Sequence, residues 1–128
     1  GLTRHEMVLN IDIAPTILDL AGIPAPTTYQ GRSLAPLLQN QTVAWREDFL
    51  CEHHFTHPTI PKSEGLRSQD WKYFRYYEQD PLYECLYNLP IDPNETTNLA
   101  ADPEHEDQLN LMRVRCDQLI SEAQAGSP

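Results

Sequence analysis

Between Asp48 and Leu89 the chain runs through extended, aromatic-rich stretches with no helical segment to separate them. A parallel pair needs a crossover of a dozen or more residues, usually a helix, so short intervals leave only antiparallel neighbours. Residues 48–55, "DFLCEHHF", carry aromatic and apolar side chains in an extended pattern. "EGLRSQDWKYFRYYE" reads as a hairpin: Leu66 to Ser68 leads in, Gln69-Asp70 turns, and Lys72 to Tyr77 returns. "YECLYNL" supplies the next strand.

The helices lie outside this block. At the C-terminal end Asp102 is placed to cap and Pro103 takes the first helical position. Glu104, Glu106 and Asp107 follow at the positive end of the helix dipole. Leu109, Met112, Cys116, Leu119, Ile120 and Ala123 then recur at helical spacing on one face, which predicts a helix lying across the sheet. Near the start, "NIDIAPTILDLAGIP" predicts a short helix capped by Asp12, with Pro15 in its first turn and Gly22 and Pro24 ending it. Ile13, Ile17, Leu18, Leu20 and Ala21 cover most of its circumference, and such a helix belongs inside a protein. "GRSLAPLLQN" predicts a second helical turn capped by Ser33, with Leu34, Leu37 and Leu38 on its apolar side. The fold class expected is α+β: an antiparallel sheet of about four strands with the C-terminal helix packed on one face.

The net charge of −10 is uneven. Residues 78–107 hold nine acids and no Lys or Arg, which disfavours a nucleic-acid partner. The net-positive stretch is 53–77, which also contains His53, His54 and His57. No run approaches the ~20 apolar residues of a membrane span. Cys51, Cys85 and Cys116 are odd in number and lack CxxC spacing, against a zinc ribbon or a dense disulfide framework. Three buried thiols, or one bridge and a free thiol, remain open. Asn40-Gln41-Thr42 and Asn94-Glu95-Thr96 fit the glycosylation acceptor pattern, which matters only in a eukaryotic secretory pathway.

"LYNLPIDPNETTNLA", residues 86–100, carries the chain from the last strand to the final helix. Asp92-Pro93-Asn94-Glu95 is turn chemistry, since proline fixes one φ angle while Asp and Asn bond their own backbone. Asn98 is placed to cap a further turn and Leu99 to pin it to the core. The segment also resembles the C-terminal signature of the sulfatase family, Glu-Leu-Tyr-Asp-Leu followed by Asp-Pro-x-Glu-x-x-Asn-Leu. Leu86, Tyr87, Leu89, Asp92, Pro93, Glu95, Asn98 and Leu99 match, while Cys85 and Asn88 replace the usual Glu and Asp. "DIAPTILDLAGIP", "GRSLAPLL" and "GLRSQDWKYFRY" resemble three further family stretches in the same order.

The resemblance implies the C-terminal part of an enzyme that hydrolyses sulfate esters or sulfamates, often on sugars. It implies a formylglycine nucleophile made from Cys or Ser in Cys/Ser-x-Pro/Ala-x-Arg, and calcium held by acidic and amide side chains. None of the cysteines fits that motif. Ser33-Leu34-Ala35-Pro36-Leu37 ends in Leu instead of Arg, and Ser63-Glu64-Gly65-Leu66-Arg67 has Gly at the third position. Formylglycine and calcium are therefore expected on a catalytic domain absent from these residues, and the segment itself is expected to be inactive. Residues 1–40 are expected to be the tail of that domain and 41–128 the α+β subdomain. The expected partners are the catalytic domain, a sulfated small molecule or glycan reached through the parent enzyme, and a possible homodimer that hides the first helix. Neither nucleic acid nor membrane is expected, and the resemblance favours a periplasmic or extracellular setting. His53, His54, His57, Lys62 and Arg67 are the candidate substrate-binding residues, as donors and positive charge within an acidic chain. His53 and His54 point to opposite faces of a strand, so one at most faces a given ligand. A metal site from Glu52, His54 and His57 is the alternative, with irregular spacing. Arg67 and Lys72 are expected to pair with acids of the 78–107 band. The rival reading is a non-catalytic glycan-binding or interaction module derived from sulfatases.

Overall fold

A computed structural model of the chain describes residues 3–125. They form two compact units: one runs through Glu47 and takes in Gln124 and Ala125, and the other is Asp48–Ala123.

The Asp48–Ala123 unit is an antiparallel meander of β1 (Asp48–His53), β2 (Ser63–Ser68), β3 (Trp71–Tyr76) and β4 (Tyr83–Asn88), hydrogen-bonded in the order β1-β2-β3-β4. The β2–β3 hairpin turns at Gln69-Asp70 because Ser68 closes it: its hydroxyl accepts from the Trp71 N–H at 3.0 Å and donates to the Trp71 carbonyl at 3.2 Å. Alternation along the strands gives the sheet two faces. Leu50, Leu66, Tyr73 and Leu86 share one face, and Leu109, Met112 and Cys116 of α3 (Glu106–Ala125) pack against it. Phe49, Cys51, Arg67, Lys72, Phe74, Tyr76, Cys85 and Tyr87 alternate onto the other. Gly65 sits where any Cβ would run into the Tyr73 carbonyl and Phe74, so the β2–β3 approach excludes a side chain there.

Helix α3 begins as the sequence predicts. Asp102 accepts from the Glu104 N–H at 3.0 Å and Pro103 opens a 3-10 turn, Pro103–His105, that continues into the helix. Guanidinium–carboxylate pairs then tie it to β1, β3 and β4, with β2 joined to them through Arg75. Arg113 grips Glu84 of β4 with Nε at 2.8 Å and Nη2 at 2.5 Å. Arg115 grips Asp48 of β1 at 2.6 and 2.9 Å. Arg75 of β3 bridges Glu64 of β2 at 2.8 Å and Asp117 of α3 at 2.7 Å. The Tyr73 hydroxyl donates to Glu84 at 2.7 Å, so the most buried aromatic ring is also tied into this network.

The segment from β4 to α3 has a structural role that turn chemistry alone does not reveal. Asp92 organises its loop by accepting from the Thr97 N–H at 2.8 Å and the Thr96 hydroxyl at 3.0 Å. Glu95 adopts a left-handed φ of 55° and its carboxylate meets the Lys72 ammonium at 2.5 Å. Asn98 caps the turn that follows it, its Oδ1 accepting from the Ala100 N–H at 3.0 Å where the Asp102 N–H bonds the Leu99 carbonyl, and it also reaches back to the sheet. Its amide lies along β4 like a strand fragment: Oδ1 accepts from Leu86 N–H at 3.0 Å, Nδ2 donates to the Glu84 carbonyl at 2.9 Å, and Leu99 N–H donates to the Leu86 carbonyl at 2.9 Å. The outer edge of β4 is thereby closed. Among the described residues β1 has no backbone partner beyond β2, and its outer edge stays open.

In the other unit, a 3-10 turn (Asn10–Asp12) runs into α1 (Ile13–Leu20), and α2 (Ala35–Leu38) follows. The Ser33 hydroxyl accepts from Ala35 N–H at 3.1 Å, as a cap for α2. Asp12 does not cap α1 by side chain. It is fully buried and accepts from the Leu9 and Arg32 N–H groups, both at 2.8 Å, and from both ends of the Arg46 guanidinium at 2.5 and 2.7 Å. Carboxylate desolvation is outweighed by these donors, and the Asp12 pKa falls below its ordinary 3.8. Gly31 fits because a Cβ there would strike the backbone of Ile11. Ile13, Ile17 and Leu20 are 56, 62 and 65% exposed, in keeping with a helix that asks for more protein around it than these residues supply. Their stripe has no cover among the described residues, because the helix is apolar on more sides than this unit can enclose.

Two outcomes follow from these contacts. Asn98→Ala leaves the Leu86 N–H and Glu84 carbonyl without that partner and lowers stability by about 2–3 kcal/mol, read as a lower urea midpoint at unchanged slope. Asp12, with its folded pKa depressed, contributes stability that is whole above its ordinary value and is lost as pH falls through the folded one. In acid titrations followed by circular dichroism, Asp12→Asn is less stable at neutral pH, and its deficit against the parent narrows as the pH drops below about 4.

Candidate functional site

The end of the sheet where β1 finishes and β2 begins gathers the histidine stretch. His53 is the last residue of β1 and pairs with Ser63. Its ring lies 3.9 Å from that of Phe55, and its Nδ1 is buried with no hydrogen-bond partner. His54 follows the strand, with Nδ1 3.0 Å from the Tyr77 hydroxyl and Nε2 2.9 Å from Glu52 Oε1. His57 lies in the β1–β2 loop, where its Nδ1 accepts from the Thr59 N–H at 3.2 Å. Lys62 precedes β2 and meets Glu78 at 2.7 Å, a bond that raises the ammonium pKa.

The β2–β3 register brings this end of β2 beside the end of β3. Tyr77 and Glu78, which sequence reasoning did not single out, are therefore partners of His54 and Lys62. The only signal for them was their place at the hairpin's far end, one turn of register away from the basic stretch. Arg67 stands apart. It is four positions along β2 from Ser63, about 13 Å at strand rise, opposite Phe49 and Lys72. The expectation that Arg67 and Lys72 both pair with acids of the 78–107 band holds for Lys72 alone. Arg67 has no side-chain hydrogen bond or ion pair among the described residues, because its strand neighbour across β3 is Lys72 and the nearby carboxylate, Glu95, is already engaged by that lysine.

Chemically, the end cluster offers imidazole, hydroxyl and ammonium groups with Glu52 and Glu78 balancing much of the charge. That composition suits hydrogen bonding to a polar ligand. It does not supply a nucleophile. Glu52, His54 and His57 do not converge, and among the described residues no group of three or more His, Cys, Asp or Glu could hold a metal ion. The thiols do not fit a formylglycine precursor either, since none of them lies in Cys-x-Pro/Ala-x-Arg.

The thiols themselves divide. Cys85 and Cys116 are buried, Cys51 is exposed, and all three are free. Neither three buried thiols nor one bridge with a free thiol is what the structure shows, and β1's position at the sheet edge is what exposes Cys51. Burial pushes the Cys116 pKa up to about 11. Partial desolvation also raises Cys51, against the pull of Lys72 and Arg67.

A family model described as N-sulphoglucosamine sulphohydrolase, C-terminal, matches residues 1–122. The chain is a sulfatase C-terminal region. An N-acetylglucosamine-6-O-sulfatase of Bacteroides thetaiotaomicron is 33% identical over 121 residues, covering 89% of this chain and 21% of the relative. The solved structure of a 2-O GAG sulfatase superposes with a TM-score of 0.78 at 31% identity, over 88% of this chain and 24% of that one. A third protein, solved in complex with its substrate D-glucosamine-2-N,6-O-disulfate, superposes with a TM-score of 0.72 at 30% identity, over 90% of this chain and 23% of that one. The sulfatase region thus spans about a fifth of the length of the curated relatives it matches. Its four-stranded antiparallel sheet and C-terminal helix are the α+β subdomain that the resemblance implies.

The thiol environments of this sulfatase region predict its labelling pattern. At about pH 8 an aromatic disulfide reagent modifies Cys51 in the native protein, while Cys85 and Cys116 react only after denaturant opens the core. Mass spectrometry of the labelled peptides reads this directly.

Proposed function

We propose that this chain is the supporting C-terminal wall of an enzyme that hydrolyses sulfate esters on sulfated sugars. The observation that carries the proposal is the family match from residue 1 to residue 122 in a chain with no nucleophile motif. The formylglycine and calcium belong, on this reading, to a catalytic domain formed by the remaining length of the relatives. The open stripe of Ile13, Ile17 and Leu20 supports such a partner, since an apolar ridge of this kind is normally covered.

The wall meets substrate at the end of the sheet that carries His53, His54, His57 and Lys62, with one at most of His53 and His54 facing the ligand. Donors of this kind suit sugar hydroxyls and sulfate oxygens. Arg67, on the same reading a candidate for substrate, lies further along the sheet and serves a more distant anionic group. The sugar class follows relatives that act on glucosamine sulfates and on a glycosaminoglycan.

Two measurements test the proposal. The purified 128-residue chain releases no sulfate from a 6-O-sulfated glucosamine substrate, whereas the full-length protein does; sustained release by the short chain overturns it. In the full-length protein, His53→Ala combined with His54→Ala lowers kcat/KM by about five- to tenfold, the loss of roughly one hydrogen bond to substrate. Unchanged kinetics would make those residues scaffold. Light scattering on the isolated chain separates the two covers for α1, because a dimer points to a second copy and a monomer to the catalytic domain.

A further inference from the structure

The sheet face turned away from α3 ends in a row of which the proposed function uses only His53. His53 pairs with Ser63, Glu64 with Arg75, and Tyr76 with Tyr83, so the register sets His53, Ser63, Tyr76 and Tyr83 side by side across all four strands. At strand spacing the row is about 14 Å long, the span of a short oligosaccharide. The Tyr76 and Tyr83 rings lie parallel, with centroids 5.6 Å apart and planes at 26°, and Phe74 abuts Tyr76 edge-on at 5.5 Å. Tyr83 is 49% exposed. The hydroxyls of Ser63, Tyr76 and Tyr83 have no hydrogen-bond partner among the described residues.

We propose that this row is a carbohydrate subsite, in which the Tyr76–Tyr83 pair takes the face of a sugar ring and the Ser63, Tyr76 and Tyr83 hydroxyls bond its hydroxyls. The proposal rests on the sulfatase reading and adds a place for a sugar residue other than the one being hydrolysed. Charge favours the ring face over the sulfate as the recognised element. No Lys or Arg belongs to the row; Arg75 and Glu84, which adjoin its tyrosines in the sequence, alternate onto the opposite face, and Lys62, which adjoins Ser63, is paired with Glu78. An aromatic face paired with unspent hydroxyls binds the apolar side of a pyranose and its polar rim together, and it gains nothing from added anionic groups.

The test uses the 128-residue chain with a heparin-derived tetrasaccharide and with the same tetrasaccharide after chemical desulfation. Titration followed by NMR is expected to shift the ring signals of Tyr76 and Tyr83 saturably with both sugars. Raising salt from about 0.05 M to about 0.5 M changes the Kd by less than about threefold, because stacking is not screened. Tyr83→Ala weakens binding about fivefold, and Tyr83→Phe, which keeps the ring and loses the hydroxyl, about twofold. Circular dichroism confirms that both variants keep the fold, and the shifts in the parent protein stand independently of any variant. Absence of saturable shifts with either sugar overturns the proposal. So does binding that disappears on desulfation or in salt, which would belong to the basic groups, and so does a Tyr83→Ala variant that binds like the parent. None of these outcomes bears on sulfate release, the measurement that decides the sulfatase reading.

Discussion

Helix α3 is held over its sheet by carboxylates and guanidiniums arranged so that each strand contributes one partner. Asp48, Glu64, Arg75 and Glu84 come from β1, β2, β3 and β4, and all project toward the helix around an apolar centre of Leu66, Tyr73 and Leu86. The division of labour follows from dielectric physics. Burying the apolar side chains supplies most of the free energy, at about 1.5–3 kcal/mol for each large one. The ion pairs are partly open to water, where such pairs are individually worth little, but their bidentate geometry allows only one rotation and one height of α3 above the sheet. A helix that could otherwise slide by a turn along an apolar stripe is thereby registered.

This explains which parts of the fold were legible in the sequence. The strands follow from alternation and from the short intervals between them, and the start of α3 follows from Asp102 and Pro103, because these are local effects. The C-terminal face of Leu109, Met112 and Cys116 was visible for the same reason, as a period. The clamps were not, because Arg115 and Asp48 lie 67 positions apart and no local pattern joins them. Asp12 and Asn98 were legible only in part. Asp12 spends its side chain on Leu9, Arg32 and Arg46 instead of capping α1, while Asn98 does cap its own turn through Ala100 and also bonds β4, twelve positions back. Propensity identifies a side chain that wants backbone partners. It does not say which ones.

The acidic band illustrates the same limit for the candidate site. Read as a block, residues 78–107 suggest a solvated face. In the folded chain Glu78 neutralises Lys62, Glu84 holds Arg113, Glu95 holds Lys72, and Asp92 and Asp102 shape turns. The basic stretch is a concentration of donors in the sequence, and in the folded chain Glu78 and Glu95 answer two of its cations, Lys62 and Lys72. What remains distinctive at that end of the sheet is hydrogen-bonding capacity more than charge, and it depends on Tyr77 as much as on the histidines.

The side-chain amide of Asn98 makes the two margins of the sheet unequal. One margin ends in a group that imitates a strand and offers nothing to extend, while the other presents the bare backbone of β1. Strand addition at the β4 margin would have to displace Asn98 and Leu99, whereas no strand pairs with the outer side of β1 among the described residues. The signature that ends in Asn98-Leu99 thus doubles as a terminator of the sheet on that side.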